Sequence, residues 1–368
     1  MKVELSLIGK AWIYLNRLKK RRLIITVLTN FKWVTLIDNT RFIGRRLNNN
    51  VYSRQGSLLL PQNSILDNHH LDLLHQHGIE IWREDIQLVT EVIMEEAISE
   101  VQAIYEKIHH QTEQLSNQGI QDELMPKIQE LCINNNLSNV ILELSKKDNY
   151  TYRHCIGVAV ISFLIGKWLR MKDEELSELA IAGLLHDLGK VKIPDLILNK
   201  ASRLNADEYA EMKLHTLLGY EMIRNISEMT EQQALVALQH HEREDGSGYP
   251  FGVSGEKITP FSKIVSVADV FHTMISERVY KKPVPLYQVF QEIYKSSYGL
   301  FDPKIVHSFI MNMMNRLVGD HVILTDGQVA RIVMLHPDDL INPLVEAKGQ
   351  FYDLRHSEHK ILDFASNQ

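Results

Sequence analysis

Leu184-Leu185-His186-Asp187-Leu188-Gly189-Lys190 is the stretch on which the reading of this chain turns. An apolar helical run delivers a histidine and a carboxylate side by side, then breaks at a glycine followed by a lysine. A His-Asp pair at a helix end is a natural seat for a divalent metal, and a cation just beyond it can meet an anionic ligand. Those letters alone prove little. Their partners must come from elsewhere in the chain.

Working outward, candidate ligands stand at His154 upstream and at His215, His240, His241 and Asp269 downstream. Each lies on or at the edge of an apolar stretch of helical character, at 156–169, 176–185, 212–226, 234–238 and 264–275. Packed helices can turn such side chains toward one centre, as metal-binding bundles do. Five imidazoles and two carboxylates suit Fe, Mn or Zn, because nitrogen and oxygen donors of this kind are borderline in softness. Seven donors fit two ions better than one. Two other histidine pairs, His69-His70 and His109-His110, read as solvated surface.

The rest of the chain bounds this reading. Its 368 residues, with 45% hydrophobic and 23% charged, describe an ordinary globular protein of two or three domains. The two cysteines, Cys132 and Cys155, cannot build a disulfide framework, which favours a reducing, cytoplasmic setting. Net charge is −6, but residues 1–54 hold twelve Lys/Arg against two acids, so the body of the chain is acidic. Such a body argues against a nucleic-acid polymer as partner, since that binding needs a basic footprint.

Residues 1–33 alternate apolar and basic runs too short to span a membrane and without a small-residue cleavage site. They read as a poorly ordered leader, with peripheral membrane contact as the second reading. Residues 34–84 carry short β-like runs and one helix and suggest a small α+β accessory module. Helical periodicity over 85–145, interrupted near Asn117-Gln118-Gly119, reads as a connector and a candidate homodimer element. A mainly helical catalytic domain is expected over 146–315. A β-rich tail over 316–368 includes a hairpin turning at Asp326-Gly327.

Residues 148–303 resemble the HD-GYP branch of the HD-domain phosphohydrolases. The resemblance is carried by Tyr150-Thr151-Tyr152-Arg153-His154, His186-Asp187-Leu188-Gly189-Lys190, Lys213-Leu214-His215, the string from His240-His241 to Gly248-Tyr249-Pro250, Val267-Ala268-Asp269-Val270-Phe271 and Arg278-Val279-Tyr280-Lys281. It implies a mainly α, all-helical HD-type bundle that hydrolyses cyclic di-GMP to linear pGpG, in some members on to GMP. It also implies two divalent metal ions, with Fe or Mn favoured. His154, His186, Asp187 and Asp269 would hold one ion, and His215, His240 and His241 the other, with Asp187 as bridge. Lys190 would face the scissile phosphate, and Arg278 and Lys281 would grip phosphate or guanine. Gly248, Tyr249 and Pro250 would shape the substrate cleft, and the same loop is implied as a contact for diguanylate cyclase domains.

The chemistry agrees with the residue types. A phosphodiester is anionic and resists attack, so hydrolysis needs charge neutralisation and an activated water, both of which a metal pair supplies. A carboxylate bridges well because it has two oxygens, and lysine and arginine add charge-assisted contacts. Four departures from the family pattern bear on what surrounds the ligands. Tyr150 stands where some members have a glutamate for a third ion, so two ions are expected. His272 replaces an aspartate in Phe271-His272-Thr273, and Val279 and Lys263 replace a proline and an arginine. Hydrolysis of another nucleotide, such as cyclic GMP-AMP, and a catalytically weak cyclic di-GMP-binding module are the alternative functions.

Overall fold

A computed structural model describes residues 42–365 except 54, 80, 82–84, 111–114, 134–136, 201 and 277–283. The leader expected over 1–33 therefore lies outside the described residues. The chain divides into two units, one ending at Ile86 and one beginning at Gln87.

In the first unit, β1 (Arg45–Leu47), β2 (Val51–Tyr52) and β3 (Leu58–Leu60) precede helix α1 (Asn68–Gln76). Strands β2 and β3 pair antiparallel, Val51 opposite Leu60. Gly56 takes the positive φ, +86°, that their connection requires. Helix α1 begins where Asp67 Oδ1 accepts the His70 amide at 2.8 Å, an N-cap that satisfies an otherwise orphaned donor. Phe42, Leu47, Leu60, Leu66 and Leu74 close a small core. The expected α+β character is present.

The second unit opens with a short strand, β4 (Ile86–Leu88), and helix α2 (Val89–His110). Val89, Ile93, Ala97, Val101 and Tyr105 recur every four residues and form the buried stripe of α2. Helices α3 (Asn117–Ile133) and α4 (Leu137–Ser145) follow. The helical run breaks between His110 and Asn117, close to the expected place, and the polar triplet 117–119 starts the next helix, with Ser116 Oγ accepting the Gly119 amide at 3.1 Å.

Helix α5 (Tyr150–Trp168) is buried on every face from Arg153 to Gly166, as a central helix must be. Helix α6 (Asp173–Leu185) lies against it, and small residues set their separation. A side chain at Gly183 would come within 3.3 Å of the Ala159 Cα. Short helix α7 (Asp195–Leu198) leads to α8 (Ala206–Lys213) and α9 (His215–Arg224). The stretch 212–226 is thus split at Leu214, and the split puts His215 at the start of a helix. Helices α10 (Glu231–Gln239) and α11 (Pro260–Ile275) complete the ligand-bearing set, each started by a threonine cap, Thr230 and Thr259.

Helices α12 (Leu286–Ser296) and α13 (Pro303–Asn315) lead into a five-stranded antiparallel sheet, order β8-β7-β6-β5-β9. Its strands are β5 (His321–Leu324), β6 (Val329–His336), β7 (Asp339–Ala347), β8 (Gln350–Asp353) and β9 (Ile361–Phe364). The β5–β6 turn falls at Asp326-Gly327 as expected, with Gly327 at φ +81°. Tyr287 donates to the Ile341 carbonyl, and Phe364 meets Tyr287 and Phe290 edge-on. One apolar cluster runs from Val89 to Ile361, so the helices before α5 and the C-terminal sheet share the core of the bundle.

Candidate metal centre

Five segments deliver the candidate ligands, and local structure explains each delivery. His154 sits in the first turn of α5, which buried Arg153 fastens. Its guanidinium donates to the Glu143 and Asp148 carbonyls at 3.0 and 3.1 Å and meets the Glu95 carboxylate at 2.8 Å. His186 and Asp187 leave the end of α6, and a 3₁₀ turn (Leu188–Lys192) follows. Gly189 matters here for space rather than for φ. A Cβ on it would lie 1.9 Å from the His215 carbonyl oxygen and 2.5 Å from the Gly219 nitrogen. The absence of a side chain brings this turn against α9, and so Asp187 against His215.

Asp187 stands between two groups of donors. Its Oδ2 lies 3.2 Å from His186 Nε2 and 3.6 Å from His154 Nε2, and His154 Nε2 is 3.3 Å from Asp269 Oδ1. Its Oδ1 lies 3.5 Å from His215 Nε2 and 3.8 Å from His240 Nε2. Donor atoms of His154, His186 and Asp269 form one compact set, and those of Asp187, His215, His240 and His241 another. Each carboxylate oxygen of Asp187 thus serves a different set.

The backbone fixes the tautomers. The Nδ1 atoms of His186 and His215 lie 2.7 Å from the Gly183 and Met212 carbonyls, and that of His240 lies 2.9 Å from the Ala237 carbonyl. A carbonyl only accepts, so Nδ1 carries the proton and the Nε2 lone pair points inward. Burial, then His241 and His186, hold His240 well below the ordinary histidine range. Burial brings His241 down to about 3 and also lowers His215. These three rings are neutral, as ligands must be. Burial opposes charge on Asp187, but His186 and Lys190 outweigh it and hold the carboxyl well below its usual range. Asp269 is likewise held low, against burial, chiefly by its hydrogen bond from His154.

This donor set fits metal ions. It is buried, made of nitrogen and oxygen, and contains two inward atoms without a hydrogen-bond partner, His186 Nε2 and Asp187 Oδ1. Buried polar atoms are normally satisfied, so such orphans mark a missing partner. Lys190 Nζ lies 2.5 Å from Asp187 Oδ2. A cavity of about 300 Å³ opens beside these two residues.

Two further groups of candidates fall differently. Gly248, Tyr249 and Pro250 back the ligands. A Cβ on Gly248 would lie 2.4 Å from the Glu242 Cα, and the Tyr249 ring stacks on His241 at 4.5 Å. Phe251 N donates to buried Glu242 at 2.8 Å, which closes the loop onto the His240-His241 turn. Arg278 and Lys281 lie outside the described residues, so their placement is open. Lys263 is paired with Glu244 at 2.8 Å.

Sequence reasoning missed part of the cleft. Tyr105, His109 and His110 of α2, with Tyr152 of α5, line the cavity beside Asp187 and Lys190. His109 and His110 are exposed, as read, yet they belong to this wall. The only sequence signal was an aromatic and histidine spacing on α2, which ordinary surface shares.

This bundle, with histidines and aspartates turned inward at one centre, forms a candidate site for divalent metal ions. Residues 136–305 match the HD domain family model, and the chain carries at His240–Pro250 a string that resembles the HD-GYP signature. It is 32% identical over 206 residues to a cyclic di-GMP phosphodiesterase of Pseudomonas aeruginosa, covering 56% of this chain and 50% of that protein. To a cyclic di-GMP phosphodiesterase of Thermotoga maritima it is 41% identical over 165 residues, covering 45% of each. The chain thus spans about half the length of these curated relatives. Among solved structures, an HDG"Y"P protein of Bdellovibrio bacteriovorus shares the fold with TM-score 0.50 and 15% identity, over 73% of this chain and 95% of that one.

Proposed function

We propose that this chain is a metal-dependent cyclic di-GMP phosphodiesterase that opens the cyclic dinucleotide to linear pGpG. The observation that carries the proposal is Asp187, whose two oxygens face two separate donor sets. That arrangement suits a pair of divalent ions, Fe or Mn, held by His154, His186 and Asp269 on one side and His215, His240 and His241 on the other. The cyclic di-GMP phosphodiesterases among its relatives support cyclic di-GMP as the substrate.

When bound, two such cations neutralise phosphoryl charge and make water a better nucleophile. The chain's own residues do the rest. Asp187 and Asp269, held ionised, supply the negative charge that keeps the cations in place. The neutral rings of His215, His240 and His241 leave the loaded centre with net positive charge for an anionic phosphodiester. Burial would disfavour the Lys190 ammonium, but Asp187 outweighs it and raises its pKa. Lys190 therefore offers a cation at the cavity edge for a phosphate oxygen. Tyr105 and Tyr152 give the cavity aromatic surface suited to a purine base. The Gly248-Tyr249-Pro250 loop buttresses His241, and its outer side, where Phe251 is 63% exposed, is the place for a partner domain such as a diguanylate cyclase.

The test is chromatography of cyclic di-GMP incubated with protein loaded with Fe²⁺ or Mn²⁺ under reducing, oxygen-free conditions. The expected product is pGpG, and Asp187→Ala should bring turnover to background. Unchanged cyclic di-GMP at full metal occupancy would overturn the assignment. Faster consumption of cyclic GMP-AMP in a parallel reaction would move it to that substrate.

A further inference from the structure

His272, one turn beyond Asp269... is not among the ligands, yet it lies fully buried behind one of them. Its Nδ1 is 3.0 Å from the Nδ1 of His154, with the rings tilted at 63°. His154 presents Nε2 to Asp269 and Asp187. If Nε2 is to bind a cation, the ring proton must sit on Nδ1, and that proton needs an acceptor. His186, His215 and His240 use backbone carbonyls for this purpose. His154 uses an imidazole.

Room for that imidazole is made on α5 itself. Gly157 lies one turn after His154, and a Cβ there would fall 2.0 Å from Cδ2 and 2.2 Å from Nε2 of His272. No side chain fits at 157 while the ring keeps its place. Ser276 sits on the other side, its hydroxyl 3.1 Å from His272 Nδ1 and 2.6 Å from the His272 carbonyl oxygen. Because the Ser276 hydroxyl donates its proton to the carbonyl oxygen, the single lone pair on His272 Nδ1 stays available for His154.

We propose that His272, seated in the space left by Gly157, is a positioning residue that accepts the His154 Nδ1 proton and so aims the His154 Nε2 lone pair at the cation shared with His186 and Asp269. This rests on the two-ion reading above. His272 touches neither substrate nor metal. It acts through His154, and only on the first donor set. His215, His240 and His241 have their own carbonyl acceptors or ring contacts and do not depend on it.

The experiment is a calorimetric titration of the metal-free chain with Mn²⁺ under oxygen-free conditions, which should resolve two binding events. His272→Leu keeps bulk but removes the acceptor. It should weaken one event by roughly 10- to 100-fold, the usual cost of losing such a partner, and leave the other unchanged as an internal check of folding. His272→Asn keeps an acceptor where Nδ1 stood and should return affinity to within about 3-fold of the unsubstituted chain, a rescue that mere space-filling would not give. Gly157→Ala should mimic His272→Leu, and combining the two should add little. Two unchanged events in His272→Leu would overturn this proposal alone. Failure of the unsubstituted chain to take up Mn²⁺ would overturn the two-ion reading and this proposal with it.

Discussion

Asp187 and Lys190 are only three residues apart, yet they answer to different tests. Asp187 connects both donor sets, so its loss should remove metal and turnover together. Lys190 has no place in either set and contributes a charge at the cavity edge. A charge-assisted contact of this kind contributes about 1.5–3 kcal/mol. Lys190→Ala should therefore lower kcat/KM by roughly 10- to 100-fold with metal content unchanged, measured by steady-state assay beside metal quantification. Equal loss of metal would show that the lysine also holds the centre together. Gly189 belongs to the same scale. Its nearest neighbours are backbone atoms of α9, which cannot swing aside, so Gly189→Ala should cost at least about 1–3 kcal/mol by denaturant unfolding. Stability equal to that of the unsubstituted chain would contradict the close approach.

At the level of elements, the centre depends on how α5 is pinned. Arg153 and Glu143 are almost fully buried, and Arg153 also reaches Glu95 of α2. Arg153→Met would leave Glu143 with Lys146 alone, 2.7 Å away. Breaking a buried pair costs about 3–5 kcal/mol, and the remaining lysine places this one near the low end. Equilibrium unfolding in urea is the measurement, and a loss under about 1 kcal/mol would mean that the guanidinium contributes little. Element structure also separates what was legible from what was not. His186-Asp187 and His240-His241 are covalent neighbours at helix ends, and it is the ordered set of motifs around them, with its resemblance to the HD-GYP branch, that singles them out in the sequence. In Gly248-Tyr249-Pro250 the glycine and the ring suggest close backbone approach and stacking from the sequence alone, but not against which residues. The loop's packing against Glu242 and His241 comes from a close backbone approach that no periodicity encodes. His109 and His110 read as solvated surface, and they are exposed; that they also border the cavity depends on which face of α2 adjoins it.

Across the second unit, ligands from α5, α9, α10 and α11 and from the end of α6 meet at one point. Ions bound there tie together segments that are distant in sequence. Binding to the folded state alone stabilises by about 2.7 kcal/mol at a free metal concentration one hundred times the Kd. For a chain of this size that corresponds to a Tm higher by roughly 3–5 °C with metal than with chelator, readable by calorimetry. An identical Tm in both would count against a site that spans these helices. Mainly helical architecture, the small α+β part and the terminal sheet were all legible from periodicity and turn chemistry. The docking of that sheet on α12 was not, because Tyr287, Phe290 and Phe364 are ordinary apolar letters until they meet. No helix among the described residues is long and apolar enough to cross a membrane.

The tight fit between Gly157 and the ring of His272 also has a consequence for descent. Two positions 115 residues apart on the chain cannot vary independently when one must be empty for the other to be occupied. Among related chains, an imidazole at position 272 should be found with glycine at 157. Alanine or serine at 157 should occur only where position 272 has exchanged its ring for something smaller, and a lineage passing between the two states must lose the ring before it can gain the side chain.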